Sequence, residues 1–333
     1  MEWKKTRLGR NVMAVGVLGA VGLLATACAP GSQPADGSDA AASDYPTRNI
    51  EIVVSFEGGT TDTVARMLAQ YASGEWGVNV DVINHPGGNT VPANLQLQGA
   101  DPDGYTLMFH AIGSSSLLPN QLGDDLPFDV MDQKFISMVS SNTMLFLVDP
   151  DSPFKTLQDA ADAAQADPAN FTWSASGVAE IPIRQFFRSI GVDIQETKSV
   201  IQDGTADAIV LASQGDADLV MAAVGPSIGP VEGGLIRALA ITDDPWPGLD
   251  VPSTADAGFP DVKITSWLGL AGPAGLPDNV VTAWEDLIKK MLDDPDIQEQ
   301  LANVASRPAY MDSADFTAHV QDEITEFGSL YTG

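Results

Sequence analysis

The chain has 333 residues, enough for two ordinary domains or one large one, and its composition excludes several classes of function. Acidic residues outnumber basic ones by 45 to 16, so the chain lacks the basic surface that nucleic-acid binding needs. With 44% hydrophobic residues it can form a packed core, and with one cysteine and three histidines it lacks a disulfide scaffold or a Cys/His zinc site. The net charge of −29 indicates either a lineage with acidic exported proteins or an acidic binding face.

The N-terminus predicts an export signal over residues 1–27. Basic residues precede an apolar run over residues 12–27, which is shorter than the roughly 20 residues of a membrane span. The run ends in Leu24-Ala25-Thr26-Ala27-Cys28, which resembles the lipobox of bacterial lipoproteins. We therefore expect lipidation of Cys28 and anchoring to the cell membrane, the alternative being a plain signal peptide with an incidental cysteine. Residues 28–44 are small and polar, which predicts a flexible tether.

From residue 45 onward, strand and helix patterns alternate, which predicts an α/β fold with a mostly parallel sheet. Residues 50–56 are rich in β-branched side chains and predict a buried strand. The helix that follows carries Val64, Met67, Leu68 and Tyr71 on one face and is expected to end at residues 73–74. The other elements expected in this half are a strand over 78–83, a helix over 95–98 and a strand over 105–109.

A second alternation begins after residue 150. Its expected elements are helices over 157–166, 182–190 and 206–213, and strands over 171–174, 219–223 and 236–241. The C-terminal part is helical, with Asp278 and Ser313 as the expected N-caps of two amphipathic helices. We therefore predict two lobes: residues 45–148 plus 265–333 form the first, and residues 149–264 form the second.

Two glycine-containing turns lie where a predicted strand leads into a helix. We refer to residues 56–62 as the first glycine turn and to residues 174–180 as the second. The free N–H groups and positive dipole end of a helix N-terminus bind anions without a cationic side chain. Ligands of open α/β sheets bind at the carboxyl ends of the strands, where both turns are expected. Tight packing is the other explanation for such glycines.

The chain contains, in this order, the segments Ile52-Val53-Val54-Ser55-Phe56, Gly58-Gly59-Thr60-Thr61-Asp62, Asn84-His85-Pro86-Gly87-Gly88-Asn89, Pro102-Asp103-Gly104-Tyr105-Thr106-Leu107, Ser176-Gly177-Val178, Leu239-Ala240-Ile241-Thr242, Pro252-Ser253-Thr254-Ala255-Asp256-Ala257-Gly258 and Ser266-Trp267-Leu268-Gly269-Leu270-Ala271-Gly272-Pro273-Ala274-Gly275-Leu276-Pro277. Taken together, these segments resemble the Bug family, the extracytoplasmic solute receptors of tripartite tricarboxylate transporters, over residues 45–333.

The resemblance implies a two-lobed type II periplasmic-binding-protein fold, with the ligand held in the cleft between the lobes. It also implies capture of a small organic acid for membrane permease subunits. The acidic clusters of the chain lack the spacing of an ion-binding loop, so we expect no metal; we also expect no cofactor, and a monomer. The ligand-binding residues that the resemblance implies are Ser55, Phe56, Glu57, Gly58, Gly59, Thr60, Thr61, Asp62, His110, Ala111, Ser114, Ser174, Ala175, Ser176, Gly177, Val178, Ala179 and Glu180.

The chain departs from the family pattern by placing a carboxylate in each glycine turn, Glu57 and Glu180. If both faced the cleft, repulsion would disfavour a plain dicarboxylate and favour an acid with a cationic or polar group; if both faced water, ligand choice would be unaffected. His110 could donate to a ligand or be a structural histidine. Arg184 is either a surface charge or a ligand clamp.

The sequence does not support an enzyme, because Ser176 lies outside a Gly-x-Ser-x-Gly motif and no histidine is placed as its base. Two non-enzymatic functions are compatible with the same fold. One is a transport receptor, and the other is a ligand-sensing receptor that signals to a membrane partner.

Overall fold

The computed structural model describes residues 45–202, 204–242, 245–264 and 266–331, and they form an α/β fold with two sheets. The expected signal (residues 1–27), Cys28 and the tether (28–44) lie outside the described residues. The strands are β1 (Ile50–Val54), β2 (Val80–Asn84), β3 (Thr106–Ala111), β4 (Lys134–Asn142), β5 (Met144–Val148), β6 (Thr172–Ser176), β7 (Lys198–Gln202), β8 (Leu219–Ala223), β9 (Arg237–Ile241), β10 (Ser266–Gly272) and β11 (Arg307–Met311). The helices are α1 (Gly59–Trp76), α2 (Val91–Gln98), α3 (Leu118–Leu122), α4 (Leu157–Ala166), α5 (Glu180–Ser189), α6 (Thr205–Gln214), α7 (Val224–Glu232), α8 (Asp278–Leu292), α9 (Pro295–Asn303) and α10 (Ser313–Tyr331).

The six-stranded sheet of the first lobe has the order β11-β4-β10-β3-β1-β2, and the five-stranded sheet of the second lobe has the order β7-β6-β8-β5-β9. Each sheet contains three parallel strands followed by an antiparallel strand, β10 in the first lobe and β5 in the second. These two antiparallel strands are the ones by which the chain enters each sheet from the other lobe. This repeated arrangement is the two-lobed periplasmic-binding fold that we expected.

The expectation of mostly parallel pairing is wrong. Among the described strands four neighbouring pairs are parallel and five are antiparallel. The reason is topological. Parallel neighbours need a crossover connection, whereas a strand that arrives from the other lobe can enter the sheet in either direction.

The chain crosses between the sheets at Thr143, between β4 and β5, and again over residues 242–265. The predicted division after residue 148 assigned β5 to the first lobe, whereas this strand pairs with β8 and β9 in the second sheet. Every residue of β5 is buried, and no Gly or Pro separates it from β4. The break at Asp149-Pro150 is therefore the end of a second-lobe strand.

Most of the predicted helices begin and end within one turn of the observed ones. The N-cap residues differ from those predicted. Helix α4 and strand β8 coincide with the predicted ranges. Asp278 is the first residue of α8, after an N-cap at Pro277. Ser313 does not cap α10; the Asp312 side chain accepts the N–H of Asp315, and the Ser313 hydroxyl donates to Phe135 O.

The largest core cluster contains residues from both sheets, including Phe135 of β4, Phe146 of β5 and Trp173 of β6. Helix α10 belongs to the same core through Phe316, Val320 and Phe327. A second cluster packs α1 and α8 on the opposite side of the first sheet. None of the described helices combines the length and the apolar character needed to cross a bilayer.

A cavity between the two lobes as the candidate ligand site

A cavity of about 340 Å³ lies between the lobes, at the carboxyl ends of β1, β3 and β6. Its walls combine the first glycine turn (Phe56, Thr61) and the end of β3 (Ala111) with residues of the second lobe (Gly177, Val178). The turn at Ile112–Ser114 contacts the turn at Gly177–Ala179 across it. The volume suits a small organic molecule, since ligand pockets begin at about 300 Å³.

The first glycine turn directs the N-terminus of α1 toward this cavity. Gly58 and Gly59 both have φ of +73°, a left-handed conformation that glycine adopts without strain. Among the described residues the N-cap of α1 forms no side-chain cap bond, although the Gly58 N–H donates to the Asp62 carboxylate. The first N–H groups of α1 itself can bind an anion. Phe56 and Thr61 line the cavity, whereas Ser55 is buried and Glu57, Gly58 and Gly59 are exposed outside its lining. Thr60 also lies outside it.

Asp62, a predicted ligand residue, instead fixes the shape of this turn. Asn84 Nδ2 donates to Phe56 O and to Asp62 Oδ1, both at 2.7 Å. Arg66 Nε donates to Asp62 Oδ2 at 3.1 Å. Partial burial alone would raise the pKa of Asp62, but the bonds from Arg66 and Asn84 outweigh burial and hold the pKa below its usual 3.8. Asp62 is therefore an ionised, neutralised positioning group.

The second glycine turn contributes its backbone at Gly177 and the side chain of Val178. Gly177 has φ of +52°, and a Cβ built on it would meet no other described atom within 4 Å. Of the other predicted residues of this turn whose side chains the structure describes, Ser174, Ala175, Ala179 and Glu180 lie outside the cavity lining. Ser174 is buried and donates to Val200 O at 2.7 Å, Ala175 and Ala179 are buried in the core, and Ser176 is the last residue of β6.

His110 is a structural histidine. It is 0% exposed and does not line the cavity. Its Nδ1 lies 3.1 Å from Ser114 Oγ, and Ser114 Oγ in turn donates to Ala111 O at 3.0 Å. Burial lowers the pKa of His110 to about 4, so the ring is neutral at pH 7. The predicted residues Ser114 and His110 thus support the cavity wall formed by Ala111.

A turn at Gly88–Thr90, which the sequence analysis did not include in the site, forms another wall. Asn89 and Thr90 have φ of +50° and +66°, which is strained for a β-branched residue such as Thr90. Buried Asn94 holds this turn, because its Nδ2 donates to Thr90 O and to Ser114 O, both at 3.1 Å. Gln133 Nε2 donates to Asn94 Oδ1 at 2.8 Å. The paired glycines of the Asn-His-Pro-Gly-Gly-Asn segment could have indicated this turn from the sequence.

The crossings between lobes form the remaining wall. Asn142 ends β4 and Ser266 begins β10; they are directly opposed in the antiparallel ladder, and both line the cavity. Neither residue was expected in the site, because the sequence analysis did not predict β4 or β10.

Neither glycine-turn carboxylate faces the cavity. Glu57 is exposed, and Glu180 is paired with Arg184. Arg184 and Arg188 belong to α5 and contact the end of α10, where they line a separate cavity of about 290 Å³. The residues that line the inter-lobe cavity carry no formal charge, so an anion in it would have to be held by backbone amides and neutral polar side chains. Within the described ranges, His, Cys, Asp and Glu side chains form no group of three suited to a metal ion.

Comparison with known proteins identifies the family. The family described as "Tripartite tricarboxylate transporter family receptor" matches residues 64–332. The UPF0065 protein in the gbd 5′ region of Cupriavidus necator is 28% identical over 94% of this chain and 93% of its own length. BugT of Bordetella pertussis is 23% identical over 87% of this chain and 90% of its own length.

Solved structures share the fold. An R. palustris protein solved with adipate is 25% identical, with a TM-score of 0.70 over 86% of this chain and 97% of that one. BugD, a periplasmic binding protein, is 23% identical, with a TM-score of 0.67 over 86% of this chain and 97% of that one. Proteins of this family are extracytoplasmic solute-binding receptors and not enzymes. The chain belongs to the receptor family of the tripartite tricarboxylate transporters, which includes the Bug proteins.

Proposed function

We propose that this protein captures a small organic acid between its lobes and delivers it to the permease subunits of a tripartite tricarboxylate transporter. The observation that carries the proposal is the inter-lobe cavity, bounded by the uncapped N-terminus of α1 and by the backbone of Gly177. These groups bind carboxylates through backbone amides. The adipate in the R. palustris relative supports this ligand class.

The charges around the cavity favour a plain carboxylic acid over one with a cationic group. Glu180 is neutralised by Arg184, and Glu57 is exposed to solvent outside the cavity lining. A cation in the cavity would have no carboxylate partner among the lining residues and would lose its hydration. Amino acids and betaines are therefore expected to bind weakly.

Binding is proposed to close the two lobes about the crossings at Thr143 and residues 242–265. The protein is proposed to act as a monomer, held at the cell membrane by lipid on Cys28 and by the tether over residues 28–44. Two acyl chains would suffice for stable anchoring.

A thermal-shift screen over dicarboxylates, tricarboxylates, amino acids and sugars tests the proposal. A ligand present at 100 times its Kd stabilises the folded state by about 2.7 kcal/mol, which raises Tm measurably. We expect di- or tricarboxylates to raise Tm and the other classes to leave it unchanged. The proposal is wrong if amino acids or sugars bind and no carboxylate does.

A further inference from the structure

Two polar side chains lie together where the lobes join. Asn142 and Ser266 are directly opposed Cα partners at the end of the β4–β10 ladder. Directly opposed residues of an antiparallel pair place their side chains on the same face of the sheet. Both residues line the inter-lobe cavity, so its wall at the crossings carries a carboxamide beside a hydroxyl.

Two hydrogen-bonding groups at this cavity lack partners among the described residues. Asn142 Oδ1 is removed from solvent and accepts no hydrogen bond from that part of the chain. The same holds for Thr90 Oγ1, on the strained turn that forms another wall. An unpaired buried polar group destabilises the fold, and native proteins retain few of them. Both residues line the cavity, so a ligand group can supply the missing bonds when the lobes close and the two side chains repack against it.

The chemistry of the orphaned atoms selects the ligand group. A carboxylate has no proton to donate, so it cannot satisfy the carbonyl oxygen of Asn142. A hydroxyl can donate to Asn142 Oδ1 and also accept from the hydroxyl of Ser266 or Thr90. An ammonium group can donate but not accept, and the lining residues offer it no counter-charge.

We propose that the ligand is a hydroxycarboxylic acid and that Asn142 and Ser266 select it by binding its hydroxyl group. This inference rests on the proposed function, because the carboxylates of the same ligand are held by the glycine turns. Asn142 and Ser266 therefore determine which organic acids bind, while the backbone amides set the general preference for acids.

Calorimetric titration with matched pairs of acids tests this assignment. The pairs differ by one hydroxyl: malate and succinate, 2-hydroxyglutarate and glutarate, citrate and propane-1,2,3-tricarboxylate. In at least one pair the wild type should bind the hydroxy acid at least tenfold more tightly. Asn142→Leu should reduce that preference to threefold or less, and Ser266→Ala should reduce it as well. Ser213→Ala, which removes an exposed hydroxyl on α6 outside the lining, should keep it.

The titrations test the assignment of Asn142 and Ser266 separately from the proposed function. Equal or tighter binding of the acids without a hydroxyl overturns the assignment while the proposed function stands, and so does an unchanged preference in both variants. Failure of every carboxylate to bind the folded wild type overturns the proposed function itself. If Asn142→Leu does not fold by circular dichroism, Ser266→Ala decides the assignment, because loss of one hydroxyl leaves the backbone ladder intact.

Discussion

Arg184 binds the carboxylate of Glu180 with two hydrogen bonds to Oε1, of 2.8 Å from Nε and 2.5 Å from the terminal NH2 group. Glu180 is the last residue of the second glycine turn and the first residue of α5, and Arg184 lies one helical turn further along α5. The charges of the pair cancel, so the acidic residue that departs from the family pattern need not repel an anionic ligand in the neighbouring cavity.

We therefore expect organic-acid binding to remain intact when Glu57 and Glu180, the two carboxylates that differ from the family pattern, are neutralised. Glu57→Gln should change Kd by less than about twofold, because an exposed charge is screened by solvent and salt. Glu180→Gln should keep or tighten binding, because Arg184 then lacks this carboxylate partner. Titration calorimetry at two salt concentrations measures both effects. A tenfold loss in either variant would mean that the carboxylate contacts the ligand.

Asn94 should be essential for the shape of the cavity. Asn94→Leu leaves Thr90 O, Ser114 O and Gln133 Nε2 without their present partner, which should cost about 2–4 kcal/mol of unfolding free energy. Binding should weaken as the strained turn relaxes. Gln98→Leu is the control on the same helix, since its exposed bond to Asp129 O contributes less than about 1 kcal/mol. Urea unfolding measures the free energy of unfolding of Asn94→Leu and Gln98→Leu. Equal losses of unfolding free energy in the two variants would contradict the role of Asn94.

Because His110 is buried, we expect the stability of the fold to decrease in acid. The pKa of His110 is about 4 in the folded protein against the ordinary histidine value of 6.5, because burial disfavours the charged ring. The folded state therefore gains stability from this group above pH 6.5, and that gain is lost as pH falls toward 4. The full effect is about 3 kcal/mol.

Thermal melts of wild type and His110→Gln between pH 7.5 and 4 measure this effect. The difference between the two Tm values should narrow as pH falls. Burial opposes protonation of His319, but the adjacent Glu323 raises its pKa. His319 therefore stabilises the fold as pH falls, and it does so equally in wild type and in His110→Gln, because both proteins contain it. His85→Gln serves as control and should follow the wild type. A Tm difference between His110→Gln and wild type that stays constant from pH 7.5 to pH 4 would contradict the prediction.

Cys28 should determine membrane attachment. In cells, the wild type should be processed and sediment with membranes, and Cys28→Ser should differ from it in both processing and membrane partitioning. Ser38→Ala, a change within the tether, should behave as the wild type does. If Cys28→Ser is processed and partitions like the wild type, a plain signal peptide is the correct interpretation of the N-terminus.

The sequence predicted the parts of the fold that depend on local patterns. Helix α4 and strand β8 follow from apolar periodicity, and the glycine turns follow from Gly58, Gly59 and Gly177 between strand and helix. Strands β4 and β5 were missed because they form nearly continuous buried runs without a turn signal between them. Long-range pairing, which sequence periodicity does not encode, is what brings Asn142 opposite Ser266.

The structure brings some of the predicted ligand residues to the inter-lobe cavity and leaves others outside its lining. Phe56, Thr61, Ala111, Gly177 and Val178 line the cavity. Asp62 and His110 were chosen because polar residues near strand ends often contact ligands, but their partners in the fold direct them to structural roles. The left-handed Thr90 escaped prediction because a β-branched residue adopts that conformation only when tertiary contacts impose it.

The most direct test is titration calorimetry of Gly177→Ala with the organic acid that stabilises the wild type most. The added methyl group would enter open space beside the ligand, so binding should weaken at least tenfold, about 1.4 kcal/mol. Gly77→Ala is the matched control, since Gly77 has a similar φ of +67° and equally open surroundings at the far end of α1. It should bind within twofold of the wild type. Unchanged affinity in folded Gly177→Ala would contradict ligand capture by this turn.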